Sequence, residues 1–304
     1  MHASAAPCSE HEPLATLEIA ADILRLVERG DGTFRTTGGR SNHNGTIFGG
    51  RLIAQSLAAA TATVAEMPAT SLHAYFLAAG QVDQPVDYHV TALRDSRRFA
   101  NRMVEARQSG VTLFTLMAQF HAAEEGFLHQ HAAMPDVPPP EAVMPLQAYV
   151  LQNEGRIDLS AIRNFKGATP IEMRPVDPDR YFLQRSEGRR DFWFRLPSAA
   201  AIAEPRLQQC LLAYASDYWL GGVSAIPHVF PTNGRELLIS SLDHALWFHR
   251  PVRCEDWLLH HTISPAAGDG LGFARGQIFD RHGRLVASSA QECLLRRLSP
   301  SSDR

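Results

Sequence analysis

No apolar run of the roughly eighteen residues needed to cross a bilayer occurs in the 304 residues, so a membrane span is not expected. The N-terminus, Met1 to Glu10, has neither a basic start nor an apolar core, so no signal peptide is expected and a cytoplasmic location is. The four cysteines, Cys8, Cys210, Cys254 and Cys293, are scattered without a C-x-x-C pair. That argues against a disulfide framework and a cysteine zinc site, and reduced thiols are expected. His11-Glu-Pro-Leu-Ala15 is not H-E-x-x-H, and no His/Asp/Glu cluster has metal-ligand spacing, so neither a metal nor another cofactor is expected. Lysine is almost missing: of 29 basic residues only Lys166 is one. With a net charge of −3 and no basic tract, nucleic acid is not an expected partner.

What is present is a globular chain, 45% hydrophobic, long enough for two domains of ordinary size. Residues 1–13 read as a loose tail and 14–28 as an amphipathic helix ending at Gly30. A polar, Gly-rich stretch leads through Asn44-Gly-Thr-Ile-Phe-Gly-Gly50 into a second helix, 51–64, whose nearly uncharged surface predicts burial on most sides. From there the apolar period falls to two. Residues 72–77, 86–93, 99–107 and 112–121 read as strands joined by turns short enough to make an antiparallel meander. Prolines at 135, 138, 139, 140 and 145 mark a linker over 124–168, with a short helix at 146–153 inside it. Strands are expected at 171–176 and 191–196, a helix at 205–220, a loop at 221–235, and strands at 237–248, 257–264, 272–279 and 285–295. Gly268-Asp-Gly-Leu-Gly272 lies between two of these strands and reads as a hairpin turn.

The helix at 205–220 carries the feature the chain is organised around. Cys210, Tyr214 and Asp217 fall at i, i+4 and i+7, so the acid lies along the apolar stripe. It is either a satisfied structural acid or a general base held in an apolar cleft.

The order helix then four strands occurs twice, which reads as a duplication. His73-Ala-Tyr-Phe in the first half faces His244-Ala-Leu-Trp-Phe in the second. Thr70 and Ser241 stand three residues before those histidines, and Gln119 and Gln291 stand 46 and 47 residues after them. Only the second helix contributes an acid, which favours one working site built around Asp217, Ser241 and Gln291. The domains are then 14–123 and 169–298, with a tail at 299–304.

Phe48-Gly-Gly50, His73-Ala-Tyr-Phe-Leu, Leu212-Ala-Tyr-Ala-Ser-Asp217, Leu242-Asp-His-Ala-Leu-Trp-Phe-His-Arg-Pro251 and Ala287-Ser-Ser-Ala-Gln-Glu292 together resemble the acyl-CoA thioesterase II family. The resemblance implies an α+β tandem (double) hotdog, each half an antiparallel sheet wrapped around a long helix, with acyl-CoA as substrate. It also implies a catalytic set of Asp, Thr or Ser, and Gln that falls on Asp217, Ser241 and Gln291. Two departures are present: the strand hydroxyl, often Thr in relatives, is Ser241, and Arg51 stands where Gln usually follows the Gly-Gly loop.

A thioester is activated enough for water to attack once a base takes its proton and a donor supports the oxyanion. Asp217 is the expected base, with Ser241 and Gln291 orienting the water. The helix start at Gly49 and Gly50 is a candidate oxyanion site, since glycine permits close approach to unpaired N–H groups. Arg97, Arg98 and Arg250 are candidates for the CoA phosphates. Ser241 lacks a G-x-S-x-G elbow, and period-two counting puts His244 on the opposite face of its strand, so a covalent serine is disfavoured. A hotdog hydratase or dehydratase and a non-catalytic acyl-CoA-binding protein are the alternatives. The hydratase needs an acid and a histidine together, and no histidine follows Asp217 closely in sequence. Sheet edges in tandem hotdogs call for covering, so a homodimer or higher homo-oligomer is expected.

Overall fold

The computed structural model describes residues 20–36, 45–157, 169–184, 186–229 and 237–297. Thirteen strands form one antiparallel sheet: β1 (Val27–Gly30), β2 (Thr33–Arg35), β3 (Ala69–Phe76), β4 (Asp87–Asp95), β5 (Phe99–Gln108), β6 (Val111–His121), β7 (Glu172–Pro175), β8 (Arg189–Arg195), β9 (Leu237–Ser241), β10 (Asp243–Phe248), β11 (Leu258–Gly268), β12 (Leu271–Asp280) and β13 (Leu285–Arg297). Their order across the sheet is β1-β2-β4-β5-β6-β3-β10-β13-β12-β11-β8-β7, with β9 also on β13. Among the described residues the complete α-helices are α1 (Gly49–Ala62), α2 (Leu146–Gln152), α3 (Asp179–Phe182), α4 (Pro205–Ser216) and α5 (Ile226–Val229), and residues 20–24 are also helical.

The sheet of each half curls over its own long helix, and α1 and α4 pack against each other beneath the seam. The seam is the β3–β10 pairing, which joins the two expected sheets into one. This is the tandem hotdog. Every residue of α1 from Gly50 to Thr61 is buried, as its uncharged sequence predicts. Arg51 is among them, and its guanidinium turns back to Asp22 of the helical residues 20–24 (Nη1–Oδ2 3.3 Å).

Several expectations need correction. The helix expected at 14–28 is helical only over 20–24 in its described part, and 14–19 lie outside the described residues. Val27–Gly30 is instead a strand, turning through Gly30-Asp31-Gly32, all at positive φ, into β2. β1 is exposed throughout and so shows no alternation, and β2, though only its Phe34 is buried, is too short at three residues to display a period. The helix expected at 205–220 stops at Ser216; Asp217 is its C-cap, and Trp219 follows at φ +62. The loop expected at 221–235 begins as a 3-10 turn and α5, with 230–236 outside the described residues. The single strand expected at 237–248 is two, broken at Leu242. β9 pairs Ser241 with Cys293 while β10 pairs Ala245 with Ala290, a shift of one residue in register.

The described part of the Pro-rich connection is fastened to the second half. Trp193 Nε1 donates to Pro138 O (2.8 Å), and Gln130 brackets Gly283 O and Leu285 N. Cys210, Cys254 and Cys293 are buried, unpaired thiols. Among the described residues no helix is long and apolar enough to cross a membrane, and no His/Cys/Asp/Glu group could hold a metal ion.

Candidate active site

Asp217, Ser241 and Gln291 come from α4, β9 and β13 and meet. Gln291 Nε2 donates to Asp217 Oδ1 (2.9 Å) and to Ser241 Oγ (2.7 Å). Both hydrogens of that amide are thereby used. Gln291 is 1% exposed, Asp217 9%, and Ser241 half-buried, so the cluster opens outward at the serine.

The first half supplies the floor. The backbone N–H of Gly50, in the first turn of α1, donates to the Asp217 carboxylate. A β-carbon on Gly49 would stand 2.8 Å from Asp217 Oδ2, and one on Gly50 only 2.4 Å from Tyr214 O. Two glycines are therefore what lets the start of α1 touch the end of α4. The N-cap of α1, Phe48, makes no side-chain cap, and its first turn has no acid. Asp217 provides that negative charge across the two halves. Burial lifts the Asp217 carboxyl from its ordinary range to about 6, with Gln291 and the Gly50 N–H pulling the other way.

Gly49 and Gly50, the expected oxyanion site, thus stand at the Asp217 carboxylate. Arg97, Arg98 and Arg250 are not brought to the cluster. Arg97 and Arg98 sit in the β4–β5 turn, where Arg98 pairs with Glu124. That turn is near the C-terminal end of α1, whose fourteen residues span about 21 Å. Arg250 follows the far end of β10, about 20 Å of extended chain from His244.

His244 is the residue that period-two counting misplaced. The register shift at Leu242 turns it inward, 1% exposed, with Nε2 2.9 Å from Ser216 Oγ and Nδ1 4.0 Å from Asp217 Oδ1. A histidine thus lies beside the acid after all. The available signal was Asp243: its side chain accepts from Glu292 N (2.6 Å), which replaces a ladder bond at the break.

The two halves match with an offset from the sequence alignment. His73 pairs with Ala245 across the seam, and these pair outward with Met117 and Ala290 respectively. Ala118 therefore answers Gln291, and Leu72 answers His244. Gln119 does bond Thr70 (3.2 Å), but on the exposed outer face. Where the first half would hold its own acid, Arg206 donates to Val64 O (3.0 Å) and Gln209 brackets the Ala69 backbone. Gln119→Ala is therefore expected to leave turnover unchanged and stability within about 0.5 kcal/mol. Gln291→Ala is expected to lower turnover on the order of 10²-fold. Steady-state rates and melting curves on both variants check this, and equal losses would mean the working half is misassigned.

Residues 37–121 match the acyl-CoA thioesterase N-terminal domain family, and residues 140–295 the acyl-CoA thioesterase C-terminal domain family. Acyl-coenzyme A thioesterase 8 of Homo sapiens is 34% identical over 258 residues, covering 82% of this chain and 80% of its own. Acyl-CoA thioesterase 2 of Haemophilus influenzae is 33% identical over 278 residues, covering 90% and 96%. Among solved structures, the acyl-CoA thioesterase II TesB2 from Mycobacterium marinum superposes with a TM-score of 0.75 at 33% identity, covering 93% of this chain and 100% of that one. The chain belongs to the acyl-CoA thioesterase II family.

Proposed function

We propose that the protein hydrolyses acyl-CoA to a free carboxylic acid and CoA, with water as nucleophile and Asp217 as general base. The convergence of Asp217, Ser241 and Gln291 on one half-open edge, floored by Gly50, carries this reading. A water held between the carboxylate and the Ser241 hydroxyl attacks the thioester carbon; as the C–O bond forms, its proton passes to Asp217. Gln291 holds both groups in place through its two donated hydrogen bonds. Ser241 O–H and the Gly49 N–H are the donors left for the oxyanion. Collapse of that intermediate breaks the C–S bond. The CoA thiol ionises near pH 8.5, like a cysteine, so it departs with little help from an acid.

A hydratase would need His244 to reach the substrate as well. His244 is sealed behind Asp217 and bonded to Ser216, so the pair does not offer two reacting groups to one bond. A non-catalytic binder would retain acyl-CoA without turnover. Continuous detection of free thiol over a panel of acyl-CoAs separates the three, since only hydrolysis releases CoA.

The same reading includes self-association. Tyr75, Met117 and Trp247 are 60%, 52% and 38% exposed on the outer face of three adjacent central strands, with His73 edge-on to Trp247. An apolar stripe of this kind fits a partner surface. Light scattering is expected to give at least twice the 33.5 kDa chain mass; a monomer at micromolar concentration would remove the proposal.

A further inference from the structure

Gln291 can orient Asp217 and Ser241 only if its amide is turned the right way. Reversed, it would set Oε1 against the carboxylate, two acceptors with no proton between them. Something must therefore define the other end of the amide. Gln291 Oε1 is buried without a hydrogen bond, and so is His244 Nδ1. The two side chains converge on one atom: His244 Nδ1 lies 4.0 Å from Asp217 Oδ1, to which Gln291 Nε2 donates at 2.9 Å.

Burial pushes the His244 imidazole down to about 3, so the ring is neutral and carries one proton for two nitrogens. Its neighbours are Ser216, Asp217, Gln291 and, behind it, the His260 ring, which burial also holds neutral. With the proton on Nε2 it would go to Ser216 Oγ, leaving the Nδ1 lone pair among Gln291 Oε1 and Asp217 Oδ1, all acceptors. With the proton on Nδ1, Gln291 Oε1 gains a donor, and the Ser216 hydroxyl, 2.9 Å from both Nε2 and Ala213 O, turns its one proton from that carbonyl to Nε2. Each unmade buried hydrogen bond costs about 1–3 kcal/mol, and only the second arrangement removes both orphans.

We propose that His244 is a positioning residue of the hydrolytic site: its Nδ1–H holds Gln291 Oε1 and keeps Gln291 Nε2 turned toward Asp217 and Ser241. It touches no reacting atom and acts through Gln291. This rests on the assignment of Asp217, Ser241 and Gln291 to hydrolysis.

The tautomer is read directly on the folded wild-type protein by ¹⁵N-histidine NMR, with His244 assigned by its loss in His244→Asn. An Nδ1–H signal is expected; an Nε2–H tautomer would overturn the proposal even if every substitution proved unstable. In kinetics, His244→Leu is expected to lower kcat on the order of 10- to 100-fold with KM little changed. His244→Asn, whose amide N–H falls near the Nδ1 position, is expected to restore most of kcat, whereas His244→Gln, which reaches toward the Nε2 position, is not. In a Gln291→Leu background, His244→Leu is expected to have no further effect on kcat. Equal rescue by Asn and Gln, or additive losses in the double variant, would mean that His244 merely fills space. If instead Asp217→Asn and Gln291→Leu both keep wild-type turnover, the site assignment itself falls and takes the role of His244 with it.

Discussion

Asp217→Asn is expected to lower CoA release by about 10²- to 10⁴-fold, the range of a general-base contribution, while the protein becomes more stable at neutral pH. The second half of that expectation follows from the raised carboxyl. With a folded value of about 6 against 3.8 unfolded, the fold favours the protonated acid. That favourable term is fully present below pH 3.8 and is lost as pH rises through 6, so at pH 8 the ionised group opposes folding by up to about 3 kcal/mol. Asn cannot ionise and keeps an acceptor for the Gly50 N–H. Its stability advantage is therefore expected near pH 8 and expected to vanish near pH 4, as thermal melts at both values would show. The same carboxyl must be ionised to act as a base, so wild-type kcat/KM is expected to rise with pH through about 6 and then level. A purely structural Asp217, there to cap α1 across the halves, predicts the reverse: a destabilised Asn variant with near-wild-type activity per folded molecule. CoA release and melting temperature measured on one Asp217→Asn preparation decide between the two.

The parts of this site that were legible in the sequence are those governed by local pattern. Residues 51–64 have almost no charge, and a helix of that kind has to be enclosed, as α1 is. Cys210, Tyr214 and Asp217 share a helical stripe, and all three are buried. The β4, β5 and β6 strands appear within two residues of where their alternation begins and ends. Burial of the acid needed only the helical period, because its neighbours along the stripe are apolar.

What escaped was set by single-residue events that leave no period. The break at Leu242 shifts β10 against β9 by one residue, and a shift of one exchanges the faces of a strand. His244 consequently points in beside Asp217 instead of out. The same arithmetic moved the alignment of the halves: Gln119 and Gln291 match as letters, yet one lies on the outer face and the other in the core. Conformation at Asp217 was equally hidden. The helix ends there, two residues before Trp219 at a left-handed φ, and Trp219 packs against Phe182, Phe192 and Arg190 with no glycine at the turn to announce it. Contact between the Gly49-Gly50 turn and Asp217 is a matter of two helices from different halves meeting, which no window of sequence reports.

That meeting gives the other large expectation: Gly50→Ala is expected to lose both stability and turnover. In an isolated helix the change would be favourable by about 1 kcal/mol, since Ala is the better helix former. Here the new β-carbon would stand 2.4 Å from Tyr214 O and 2.5 Å from Phe48 Cε1. The Phe48 ring can swing aside, but the Tyr214 carbonyl belongs to the backbone of α4. To reach ordinary contact the two helices must separate by about 1 Å, and overpacking of this kind costs about 1–3 kcal/mol. The same movement draws the Gly50 N–H away from the Asp217 carboxylate while Gln291 stays anchored on β13. A displacement of about 1 Å at a reacting group is worth on the order of 10² in rate. Gly50→Ala is thus expected to melt lower and turn over about 10²-fold more slowly, whereas Asp217→Asn loses turnover and melts higher at pH 8. A Gly50→Ala protein that melted higher than wild type and kept its turnover would show that helix propensity outweighs the α1–α4 contact, and that the Asp217 carboxylate does not depend on the start of α1 for its position.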